Sequence, residues 1–87
     1  QETKPIIIPA DVEEVLVTVI PTNGATVTVF STTDIYPKVS AVTPDITWIE
    51  WSLGKVDVVA QDYCPKVTAI KIRQLKAGNV KITLRMQ

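Results

Sequence analysis

Eighty-seven residues are enough to close one hydrophobic core and too few for two. Net charge is zero and histidine is absent, which argues against a nucleic-acid partner and removes the imidazole that triads, proton shuttles and most zinc sites rely on. Hydrophobic residues make up 46% of the chain, Val and Ile far ahead of Leu, a bias of pleated, half-buried surfaces.

Residues 1–14, QETKPIIIPADVEE, set Pro5 and Pro9 around three isoleucines and end in acidic residues. Proline confines such a run to a tether or an edge strand. It lacks the basic and apolar regions of a secretory leader, and no apolar stretch in the chain approaches the ~18 residues of a membrane span. With Met86 the sole methionine, the chain is expected to be processed or excised from a longer protein, with an upstream domain of that parent as its first partner.

Residues 15–87 are expected to form one domain. Val15 to Ile20 reads as a strand, and Asn23-Gly24 as the tight turn of a first hairpin, since this dipeptide accepts positive φ at both central positions. Ala25 to Ser31 alternates, placing Ala25, Val27 and Val29 inward and the threonines toward water. Tyr36 to Val42, in a stretch that holds Pro37 and Pro44, is expected as an edge strand or an irregular crossover.

Asp45 to Leu53, DITWIEWSL, is β-prone, and its alternation separates Thr47, Ile49 and Trp51 from Ile46, Trp48 and Glu50. Trp51 is taken as core. Lys55 to Ala60 reads as the next strand, Asp62 to Pro65 as a turn and Lys66 to Ile72 as another strand. Lys76 to Asn79 turns into Val80 to Met86, whose apolar residues fall on even positions. Val56, Val58, Val80, Ile82 and Leu84 complete the expected core. About seven short strands at this spacing, with no window of helical periodicity, predict an all-β sandwich of antiparallel strands in two sheets.

Candidate chemistry is sparse. Lone Cys64 excludes an internal disulfide and two-cysteine metal or redox chemistry, and is read as structural. The nearest carboxylate pairs, Asp57 with Asp62 and Glu13 with Glu14, fall on expected solvated faces or the tether. Calcium needs about six to eight oxygens, of which Asp11, Glu13 and Glu14 supply only a beginning. The sequence therefore predicts no enzyme, no cofactor and no metal. Residues 1–43 carry a net −3 and residues 44–87 a net +3, so Lys66, Lys71, Arg73, Lys76, Lys81 and Arg85 are weighed as a basic face against a merely solvated one. Trp48 and Tyr36, with Lys71 and Arg73 beside them, are the candidate surface contacts, because amphipathic aromatics supply contact area.

Trp51-Ser52, Val56-Asp57-Val58-Val59, Val67-Thr68-Ala69 and Leu75-Lys76-Ala77-Gly78-Asn79-Val80-Lys81-Ile82-Thr83 resemble the motifs of the bacterial immunoglobulin-like domain, group 2. Val17-Thr18-Val19-Ile20-Pro21 is similar to the family's opening strand, so the resemblance covers roughly residues 15–87. The chain departs from the pattern by Ile70 to Gln74 ahead of the Ala-Gly turn and by a displaced glycine. The resemblance implies an immunoglobulin-like sandwich, displayed rather than catalytic. It implies a module of a phage structural protein, in a capsid decoration or tail protein at the virion surface, attaching weakly to a host or environmental glycan or protein. The alternative it implies is a stalk or adhesion module at a bacterial cell surface. The isolated domain is expected to be a monomer that does not insert into membranes.

Overall fold

The computed structural model describes residues 1–42 and 44–87. Seven strands, β1 (Ile6–Ile7), β2 (Val15–Thr22), β3 (Thr26–Thr32), β4 (Ile49–Glu50), β5 (Ala60–Cys64), β6 (Ala69–Lys76) and β7 (Asn79–Met86), are joined by one short helix, α1 (Tyr36–Ala41). The strands form two antiparallel sheets, one in the order β1-β6-β3-β4 and one in the order β5-β2-β7, and the fold is the all-β sandwich that the spacing predicts.

Alternation along each central strand supplies the core. Val15, Val17 and Val19 of β2 face Val27 and Val29 of β3 and Ile70 and Ile72 of β6, all buried. Trp51 closes this cluster. It is buried, and its indole N–H donates to the Gly54 carbonyl at 2.7 Å, as a buried tryptophan requires. Val56, Val80, Ile82 and Leu84 pack against the cluster while half-buried.

Val58 does not join them; it is 65% exposed. Val56 makes an isolated two-bond bridge to Val27 of the four-stranded sheet, and by Ala60 the chain is paired with β2 of the other. Residues 57–59 are the crossing between sheets, so the expected strand from Lys55 to Ala60 is absent and alternation no longer dictates which side faces the core. The expected turn at Asp62 to Pro65 is instead the end of β5, which stops at Pro65, a residue with no N–H for a ladder. The next strand accordingly begins at Ala69.

Asn23 and Gly24 do adopt positive φ, 56° and 81°, and Ala25 N–H closes the turn on Thr22. The turn nevertheless joins β2 and β3 across the sandwich and makes no hairpin. Both strands bury a row of valines, and these rows satisfy one another face to face. The turn between β6 and β7 arches over in the same way and lands on the first. A side chain at Gly78, whose φ is 149°, would place its Cβ 2.7 Å from both Ala25 N and Thr22 O.

The segment from Tyr36 to Val42, expected as edge strand or crossover, instead holds α1. Proline is pre-set for the first helical turn, and the helix lays Val39 on a second cluster with Ile46, Ala69 and half-buried Trp48. This cluster covers the outer side of the four-stranded sheet, which is why Thr32 is buried; Thr28, expected to face water, is buried beside Glu50, whose carboxylate accepts its hydroxyl.

Residues 1–14 lie along β6. Beyond β1, Gln74 N–H donates to Gln1 O, Thr3 N–H to Ile72 O and Ile8 N–H to Thr68 O, and Ile8 is fully buried. Removing Gln1 to Lys4 should therefore cost about 1–2 kcal/mol, more than trimming a loose tether. Gly78→Ala should cost at least about 2 kcal/mol, from strain plus a backbone clash. Urea unfolding of both variants checks these values; losses within about 0.5 kcal/mol of zero contradict them.

Candidate functional site

Three of the four surface residues singled out from the sequence come together on the outer side of the four-stranded sheet. Lys71 and Arg73 project from β6, opposite Phe30 and Thr28 of β3. The Lys71 ammonium lies 4.6 Å from the Trp48 ring centre and 5.6 Å from that of Phe30, and the Arg73 guanidinium lies 4.8 Å from Phe30. Glu2, brought alongside by the N-terminal segment, accepts from Arg73 and pairs with Lys71 at 3.4 Å. The hydrogen bond from Arg73, with Lys71 beside it, holds the Glu2 carboxyl below its ordinary range against the opposing effect of burial. Each charge here has an internal partner, and Trp48 lies under Lys71.

Tyr36 is elsewhere. It is half-buried, and its hydroxyl donates to the Ile8 carbonyl at 2.7 Å, pinning α1 to the N-terminal segment. The basic residues do not make one face. Lys71 and Arg73 alternate with inward Ile70 and Ile72 on one sheet, whereas Lys81 and Arg85 alternate with inward Ile82 and Leu84 on the other, so the two pairs point in opposite directions. Lys66 is tied to the Ala10 carbonyl at 2.7 Å and to Glu13 at 3.5 Å. Among the described residues no group of three or more His, Cys, Asp or Glu side chains is placed to hold a metal ion, and no helix is long and apolar enough to cross a membrane.

Among the described residues, a groove of about 490 Å³ opens where the two sheets part. One wall is the end of β3 and the segment Thr47 to Ser52 through β4; the other is the end of β5 with Pro65 and Val67. Ile49 and Tyr63 stand 60% and 52% exposed at its rim, and buried Trp51, Cys64 and Val67 lie beneath. Asp34 and Asp62 add carboxylates to the lining, with hydroxyls from Ser31, Thr32, Thr47 and Ser52, while the Glu50 carboxylate turns to Thr28 on the outer side of the sheet.

Hydrogen bonds fix these carboxylates. Asp34 accepts from Thr47 N–H at 2.6 Å and from the Thr32 hydroxyl at 3.4 Å. Asp62 accepts from the Ser52 hydroxyl at 2.6 Å and from Tyr63 N–H at 2.8 Å, which ties one wall to the other. Burial, reinforced by the Asp62 charge, pushes the Cys64 thiol up, so it stays protonated as a small apolar floor.

The alternation of DITWIEWSL sends Thr47, Ile49 and Trp51 to one side, and all three line the groove. Tyr63, Asp62 and Asp34 carried no such signal. They belong to the site only because β5 lies across from β4 in space. No protein-family model, curated protein or solved structure matches this chain.

The Glu2 cluster has a pH signature. A carboxyl whose folded pKa lies below its ordinary value of 4.5 stabilises the fold above that value, and the contribution disappears as pH falls through the lowered folded pKa. Glu2→Gln should therefore destabilise by at most about 1 kcal/mol at neutral pH, given the partial exposure of the pair. The difference from the parent chain should close in acid and shrink in high salt. Chemical unfolding at pH 7 and pH 2.5 reads this; a difference that persists in acid assigns the effect to packing.

Proposed function

We propose that this chain is a non-enzymatic, immunoglobulin-like display module of a phage structural protein. It is carried at the virion surface on a capsid decoration or tail protein and makes weak contacts with a host or environmental surface through the groove between its sheets. The observation that carries this reading is the open groove itself. A concave apolar floor, a rim of exposed Ile49 and Tyr63, and a few fixed polar groups are the usual makings of a recognition site. The raised Cys64 thiol suits a packed floor and offers no ready nucleophile. The resemblance to group 2 bacterial immunoglobulin-like domains supplies the virion setting.

A single shallow groove with one exposed aromatic supports only weak binding, and repetition over many copies multiplies it. The domain joined in fours through a terminal tag should adsorb to bacterial cells at least about 100-fold more tightly than the single domain. Ile49→Ser and Tyr63→Ala should abolish that adsorption without unfolding the domain, because both side chains are largely exposed. Adsorption undiminished by both substitutions, or no adsorption of the tetravalent form to any cell or glycan surface tried, overturns the reading.

A further inference from the structure

Resting on that recognition role, we infer that the occupant of the groove is an extended peptide segment bearing a lysine or arginine next to an aliphatic or aromatic side chain. The lining is apolar along its floor and negative along its walls. Asp34 and Asp62 contribute two carboxylates, and no Lys or Arg lines the groove.

Each carboxylate is held by neutral donors: backbone N–H groups of Thr47 and Tyr63, and hydroxyls of Thr32 and Ser52. These bonds orient the oxygens while leaving the negative charge in place. Lys38 does feel Asp34 but is bridged to Asp45 at 2.9 Å. A cationic side chain entering the groove thus meets preoriented acceptors at a partly desolvated site, where charge-assisted hydrogen bonds are stronger than in bulk water. Its neighbour finds Ile49, Trp51 and Tyr63, and Tyr63 also offers a ring face to a guanidinium.

Shape selects an extended partner. The walls follow two strands, and the five residues of β5 span on the order of 13 Å, room for about four to six residues of extended chain. Strand addition is disfavoured at the position that matters. Asp62 already takes the Tyr63 N–H, and a charged side chain folded onto an edge is a device that blocks further pairing. The partner is therefore read by side chains, a cation for the carboxylates and an apolar group for the floor.

The test uses the intact domain labelled with nitrogen-15 and two probes, acetyl-Phe-Arg-Leu-Arg-amide and its counterpart with Glu at both Arg positions. The Arg peptide should shift the amide signals of Ile49, Asp62 and Tyr63 and the indole of Trp51. It should bind at least about fivefold more tightly than the Glu peptide, with the margin shrinking toward unity at roughly 0.5 M salt. Asp62→Asn should weaken the Arg peptide about threefold to tenfold and leave the Glu peptide unaffected. Equal binding of both peptides at the groove overturns the charge preference. Shifts confined to another face, or no shifts with either peptide, overturn the peptide occupant. In each case the groove's recognition role stands or falls separately, on the loss of cell adsorption by Ile49→Ser.

Discussion

Two rows of valine facing each other across the sandwich set the terms for the rest of the molecule. Val15, Val17 and Val19 on one sheet, Val27 and Val29 on the other, are stiff β-branched side chains that pack well on a pleated surface. Each such row needs an opposing apolar surface, which a neighbour in the same sheet does not supply. The two rows are instead placed face to face, and the chain crosses between sheets at nearly every connection. The turns become arches. Two of these, around Gly24 and Gly78, stack so closely that one backbone position has no room for a side chain.

The same constraint explains where the sequence reading succeeds and where it stops. Alternation finds the central strands β2, β3 and β6 and the long edge strand β7, because each residue there has a defined inward or outward sense. The inward valines, Trp51 and the even-numbered residues of β7 follow from it. The reading stops where the chain changes sheets. Val58 alternates as well as Val56 does, yet only Val56 is bonded to a strand, and no local pattern records that the chain is about to leave. The proline-flanked segment that became α1 is a similar case. Its partner is the outer surface of a finished sheet, and nothing within residues 36–41 announces that surface.

The candidate surface residues show a related effect. Trp48, Lys71 and Arg73 are the right residue types for a contact patch, and they do cluster. Their assembly depends on Glu2, nearly seventy residues from Lys71 in the chain, which the N-terminal segment delivers along β6. Charges that would be free on an open sheet are paired internally, and a surface aromatic lies beneath a lysine. The extended first segment thus completes one edge, buries Ile8 and neutralises a face.

That neutralisation leaves the two sides of the sandwich electrically different. Around the N-terminal segment cations and carboxylates meet and cancel. At the opposite, parted edge the carboxylates of Asp34 and Asp62 accept hydrogen bonds from neutral donors, and no Lys or Arg lines the groove between the sheets. The field in a concave, apolar-floored groove is less screened than on a flat surface, so two carboxylates there weigh more than the zero net charge of the chain suggests. Neutral composition thus conceals a local polarity created by strand order. A partner chosen by total charge would find this domain featureless, whereas one that enters between the sheets meets an apolar floor and a negative wall together.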